Sequence, residues 1–163
     1  MIAFPRRLLA SGAVAGLLVL SACGSPPPPR THAQIAADYM REISAQPDVK
    51  TLPSGLAYKV LASGPQTGPH PAPQDSVLVN YVGKLSDGAT FDSSEEHGGG
   101  IATLPLAGVI PGWREGLQLM RPGDKWMLYI PPALAYGSKG VGPIPPDTAL
   151  QFRVELVAIS GKS

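Results

Sequence analysis

Apolar and polar positions along this chain change period several times, and each change marks an element. Over residues 76–85, Val77, Val79 and Tyr81 fall on one face, the two-residue period of a half-buried strand. Asp87-Gly88 then gives a hairpin turn signal, and residues 90–93 read as the returning strand. Residues 56–61, 102–105, 125–130 and 149–159 read as further strands. Residues 65–74, dense in Pro and Gly, form a loop. Residues 95–100 form another, whose glycines accept almost any backbone conformation. A helical period occurs twice. Thr31 can cap a helix running to about Ala45, with Ile35, Tyr39 and Ile43 on one face and Asp38, Arg41 and Glu42 elsewhere. Pro111 suits the first turn of a second helix, where its missing N–H costs nothing, and Trp113, Leu117 and Met120 share a face after it. Several antiparallel strands with one short helix among them predict an α+β domain.

The first residues read as an address. Arg6-Arg7 precede an apolar run over residues 8–20, too short for an ordinary membrane span, and Leu20-Ser21-Ala22-Cys23 follows. These last four residues resemble a bacterial lipobox, which implies cleavage before Cys23 and lipid attachment at its thiol and new amino group. An ordinary secretory signal with an incidental cysteine is the plainer alternative. Cys23 is the only cysteine and stands where lipidation needs one, which favours the lipoprotein. Gly24, in place of an acidic residue, leans towards the outer membrane. Four consecutive prolines, Pro26 to Pro29, favour a stiff polyproline II spacer. The expected organisation is a signal at 1–22, an anchored tether with a short helix at 23–50, and a folded domain at 51–163. Lipid then supplies membrane attachment while the domain stays water-soluble.

Charge and composition narrow the partners. Lys and Arg number 13 against 12 Asp and Glu, with no basic run, so an electrostatic footprint for nucleic acid is not expected. His32, His70 and His97 lack metal-ligand spacing and are expected at the surface, and no metal or cofactor is implied. Gly161-Lys162-Ser163 lacks the leading glycine and following helix of a phosphate loop. Ser54, Ser63 and Ser138 have no nucleophile-elbow context. What remains is a pocket. Trp113 at the start of a short helix can serve as a floor, Phe91 and Tyr136 as walls, and Asp92 as the polar group that an apolar small-ligand or peptide site needs.

The chain resembles the FKBP-type peptidyl-prolyl cis-trans isomerases, and their Mip-like bacterial branch in particular. The matching residues run in order over roughly 51–160. They include Val79-Asn80-Tyr81-Val82-Gly83, Thr90-Phe91-Asp92-Ser93-Ser94, Val109-Ile110-Pro111-Gly112-Trp113, Gly123-Asp124-Lys125-Trp126, Ala135-Tyr136-Gly137 and Ile144-Pro145-Pro146-Asp147. The resemblance implies an FKBP-like fold, a highly curved antiparallel sheet wrapped around one short helix with the pocket between them. It implies that a proline ring sits on Trp113 among Tyr81, Phe91, Val109, Ile110 and Phe152. The Ile110 N–H and the Tyr136 hydroxyl would hold substrate carbonyls. Asp92 would orient the Tyr81 hydroxyl or meet the rotating amide, Leu104 would line the pocket, and Ile144 would close its rim.

Each residue also has a plainer role. Tyr81, Val109 and Phe152 suit a core, Trp113 could fill one, and Asp92 could bond its own backbone in a turn. Trp126 is expected to serve packing rather than the pocket. Where many relatives carry pocket aromatics, this chain has Ala102 and Leu104, and Pro143 stands where an apolar residue or Gly is common. The implied partners are proline-containing polypeptides, with macrolide inhibitors such as rapamycin as further ligands, in the bacterial envelope (outer membrane facing the periplasm, or the cell surface). A binding module or chaperone that keeps the fold without useful catalysis is the competing reading, and a virulence-associated activity a weaker third. Mip-like proteins often dimerise through long N-terminal helices. Three turns are marginal alone, so the helix is expected to pack on its own domain or to fray in the tether, and the chain to be a monomer rather than a dimer.

Overall fold

A computed structural model describes residues 28–161. Seven strands build one antiparallel sheet: β1 (Lys50–Thr51), β2 (Ala57–Ala62), β3 (Ser76–Leu85), β4 (Thr90–Ser93), β5 (Ala102–Pro105), β6 (Lys125–Ile130) and β7 (Leu150–Ser160). The strand order is β1-β2-β6-β7-β3-β4, and β5 pairs with β3 on the same side as β4. Alternation on β3 is complete: Val77, Val79, Tyr81 and Gly83 are buried, their neighbours only partly so. The register carries that face across the sheet. Trp126 on β6, Val154 on β7 and Tyr81 on β3 form one row, and Leu128, Phe152 and Gly83 the next. The register shifts at Val60/Ala62, Leu78/Val79 and Gly83/Lys84, and such irregularities bend strands and raise their twist.

Helix α2 (Pro111–Leu117) lies on this inner face. Its approach is set by two glycines one turn apart. A Cβ added at Gly112 would stand 2.5 Å from Ile130 Cγ2, and one at Gly116 would stand 3.0 Å from both Leu128 methyls. Without side chains there, α2 settles against β6, and Trp113, Leu117 and Met120 are buried beside it. Met120 was expected inside the helix; it lies just past the end, where its N–H bonds the Leu117 carbonyl. Asp124, 4% exposed, braces the following turn by accepting from the N–H groups of Gly64 at 2.6 Å and Arg121 at 2.8 Å.

Helix α1 (His32–Ser44) begins with a full capping box, the Thr31 hydroxyl on the Gln34 N–H and the Gln34 side chain on the Thr31 N–H. It packs on its own domain against β2 and β6. Tyr39 meets Tyr129 edge-on at 6.4 Å and donates to Gln151 at 3.1 Å. The inner face differs from the expected one. Ala36 is buried and Ile35 is 38% exposed, because the close contact selects a small residue one position on. β1 was not foreseen, since two residues carry no period, and it straddles the expected boundary at residue 51. The expected signal and lipobox lie outside the described residues.

Replacing Gly112 by Ala tests this packing. An exposed helix position gains about 1 kcal/mol from that change. Here overpacking against Ile130 is expected to override the gain and cost about 1–3 kcal/mol in urea unfolding. A stabilised variant would contradict the close approach.

Candidate active site

Between the inner face of the sheet and the start of α2 lies a hollow of about 270 Å³. Tyr81, Phe91, Asp92, Leu104, Val109, Ile110, Trp113, Tyr136 and Phe152 line it, with Gly108 added. Trp113, 4% exposed, is the centre of an aromatic set. Tyr81 stands edge-on to it at 5.1 Å and 90°, and Phe152 at 5.2 Å and 88°. Phe91 packs edge-on against Phe152 at 5.5 Å. Edge-to-face pairs of this kind suit the ring quadrupoles and fix each ring's plane. Gly83 makes the set possible, because a Cβ there would fall 2.6 Å from Phe152 and 2.9 Å from Phe91. Arg114 clamps the segment ahead of α2, donating through Nε to the Leu106 carbonyl and through Nη2 to the Ala107 carbonyl, each at 3.2 Å. Val109 and Ile110 are thereby held beside Trp113. The Ile110 carbonyl accepts the first helical bonds, while among the described residues its N–H has no partner.

The family model for FKBP-type peptidyl-prolyl cis-trans isomerases matches residues 68–157. That span carries the whole lining of the hollow. The chain belongs to this family. It is 49% identical over 118 residues to the peptidyl-prolyl cis-trans isomerase Mip of Coxiella burnetii, covering 72% of this chain and 50% of that protein. It is 44% identical over 122 residues to FkpA of Escherichia coli, covering 75% and 44%. The chain thus spans about half the length of these curated relatives. Among solved structures, E. coli FkpA superposes with a TM-score of 0.74 at 42% identity, covering 78% of this chain and 59% of that one. An isomerase of Pseudomonas syringae gives 0.73 at 39% identity, covering 84% and 99%.

The hollow holds one carboxylate. Asp92 accepts the Tyr81 hydroxyl on Oδ2 at 2.9 Å, and Nε2 of His97 approaches its Oδ1 at 2.7 Å. Burial, with the hydrogen bond to Asp92 and its charge, pushes the Tyr81 phenol well above its ordinary value of 10.0. Burial and Asp92 also raise Tyr136. Both phenols therefore remain donors across the neutral range. Tyr136, 37% exposed, stands at the mouth.

Nine of the ten pocket residues expected from sequence line one hollow. Ile144 does not; it is 5% exposed and packed into the core, its backbone bridged to Val141. Trp126 lies outside the lining and stacks on Tyr58 at 4.5 Å. The site partner that sequence reasoning missed is His97. All three histidines are exposed, yet this one reaches Asp92 from five residues along the chain. The only available signal was that short spacing, with three glycines after it.

Tyr39, Tyr81, Tyr129 and Tyr136 all have raised folded-state values, burial being the largest cause. The folded state keeps protons that an unfolded chain releases near pH 10, so stability present below about pH 10 falls as pH rises above it. Thermal midpoints are expected to drop steeply there, with phenolate absorbance rising together with unfolding. Reversible ionisation of all five tyrosines in a folded protein near pH 10 would contradict these burials.

Proposed function

We propose that this chain is a peptidyl-prolyl cis-trans isomerase acting on Xaa-Pro bonds of exported or envelope proteins. The observation that carries the reading is the meeting of an aromatic floor, an unpartnered Ile110 N–H and a single carboxylate–phenol pair in one hollow. Another hollow, of about 250 Å³, opens over the other face of β3 and β7 and is lined by Asn80, Glu95, Lys125, Arg153 and Glu155. Its charges suit a proline ring poorly.

The reaction breaks no covalent bond. Rotation about a peptide bond has a barrier of ~18–20 kcal/mol because amide resonance is lost on twisting. The planar amide is more polar than the twisted one, so apolar walls disfavour the ground state more than the transition state. The proline ring rests on Trp113 between Tyr81, Phe91, Val109 and Phe152, with Leu104 beside them. The Ile110 N–H takes one substrate carbonyl and the Tyr136 hydroxyl a neighbouring one. Asp92 keeps the Tyr81 hydroxyl turned and places negative charge beside the rotating amide. Macrolides of the rapamycin type are expected in the same pocket.

A protein of Legionella longbeachae that is 45% identical to this chain over 116 residues is named an outer membrane protein. With the lipobox-like residues 20–23 it supports lipid anchoring at the envelope, the domain held off the membrane by the proline spacer.

The purified domain starting after Cys23 is expected to accelerate cis-to-trans isomerisation of Xaa-Pro peptides. Asp92→Ala and Tyr136→Phe are each expected to lower kcat/KM about tenfold, roughly 1.4 kcal/mol, the scale of a hydrogen bond to a charged or buried partner. A folded parent no faster than the uncatalysed reaction would instead leave a peptide-binding module. For the anchor, radiolabelled palmitate is expected to enter the full chain and to be lost in Cys23→Ser. Equal labelling of both would exclude lipidation at Cys23.

A further inference from the structure

His97 is placed with more care than an exposed loop residue requires. It ends a single 3-10 turn (Ser94–His97), and Gly98, Gly99 and Gly100 follow with φ of 93°, 142° and 82°. A Cβ on any of the three would meet nothing within 4 Å. These glycines are therefore needed for their backbone conformation, one that L side chains rarely adopt. The base of the loop is closed by Ser94, 2% exposed, whose hydroxyl accepts from the Tyr81 N–H at 3.0 Å and donates to the Gly100 carbonyl at 2.8 Å. One end of the loop is thus pinned to the backbone of Tyr81. From the middle of the loop, His97 reaches the carboxylate that accepts the Tyr81 hydroxyl.

An ionised carboxylate only accepts hydrogen bonds, so the His97 ring must carry its proton on Nε2 to make this contact. With Oδ1 held by His97 and Oδ2 by Tyr81, Asp92 has one orientation. We propose that His97 is a positioning residue for the isomerase site, fixing Asp92 beside the substrate amide and, when doubly protonated, offsetting its charge. The proposal rests on the functional reading of the Asp92 pocket given above.

The groups around the contact are few. Glu95 and Glu96 share the turn of His97, Asp92 faces it from β4, and Tyr81 stands behind Asp92 on β3. Tyr136 feels the charge of Asp92 from the loop after β6. Lys125, Arg153 and Glu155 line the separate hollow that Glu95 borders. Of the groups at the contact, only the imidazole becomes cationic on taking up a proton. Protonation strengthens the hold on Oδ1 and cancels the negative charge at the pocket mouth. Activity is therefore expected to fall towards acid pH.

The test is kcat/KM for an uncharged Xaa-Pro peptide between about pH 5 and pH 8, on the same domain, with circular dichroism confirming the fold. The parent is expected to lose about threefold from neutral to acid pH. His97→Ala is expected to be about threefold slower than the parent at pH 8 and flat with pH. His97→Gln, which retains a donor, is expected to recover most of that loss and to be flat. His97→Arg is expected to sit at the parent's acid value throughout. An active parent whose pH profile persists unchanged in His97→Ala and His97→Gln would overturn the proposal while leaving the isomerase reading intact. An inactive parent would overturn the isomerase reading itself. Nitrogen NMR of the His97 ring at pH 8 gives a second, activity-free readout: a proton on Nε2 is expected, and one on Nδ1 alone would also overturn the assignment.

Discussion

The close seat of α2 on β6 is the constraint on which the remainder depends. Gly112 and Gly116 present bare backbone to Ile130 and Leu128, and this lets a helix of only seven residues lie flat on the sheet. Such a helix has little stability alone; packing holds it. Trp113, the neighbour of Gly112, is then committed to one position, with its ring edge-on to Tyr81 and Phe152. A helix held farther off would lift the indole out of that set. Gly83 repeats the device across the sheet, leaving space for the rings of Phe152 and Phe91. Three missing side chains therefore shape the pocket as much as the aromatics that line it.

Polarity enters the hollow sparingly, and most of it is tied. Asp92 is shared between Tyr81 and His97, Arg114 holds the carbonyls leading to Val109, and the Ile110 carbonyl is taken by the helix. What stays available to a substrate is the Ile110 N–H and the phenol of Tyr136. Two donors beside an apolar floor can hold the carbonyls on either side of a proline while offering its ring no hydrogen bond. This is the arrangement a rotation without covalent chemistry calls for: fixed ends, and an interior that does not solvate the planar amide.

Much of this was legible in the chain. The strand at 76–85 carries its period openly, the hairpin signal gives 90–93, and the observed limits of these and of 102–105 and 125–130 agree with the expected ones. The pocket residues were legible through a family resemblance; singly, Phe152 or Val109 reads as core, and Phe152 is indeed part of both core and pocket. Other features depend on contacts between distant segments and leave no local trace. Which face α1 turns inward was decided by Tyr129 and Gln151, more than 80 residues away, so Ala36 displaced Ile35. Ile144 went into the core because its backbone pairs with Val141 across a tight loop. His97 was hidden by its exposure: a surface histidine gives no pattern, and only the path of the glycine loop brings it to Asp92.

A prolyl peptide is proposed to be held in the hollow over Trp113. Titrating the nitrogen-labelled domain with a short Xaa-Pro peptide, followed by NMR, tests it most directly. Saturable shifts are expected at the Trp113 indole N–H, the Ile110 amide and the amides of Phe91 and Asp92, with little change at Asn80 or Arg153. Shifts confined to the charged hollow on the opposite face, with the Trp113 indole unmoved, would contradict it.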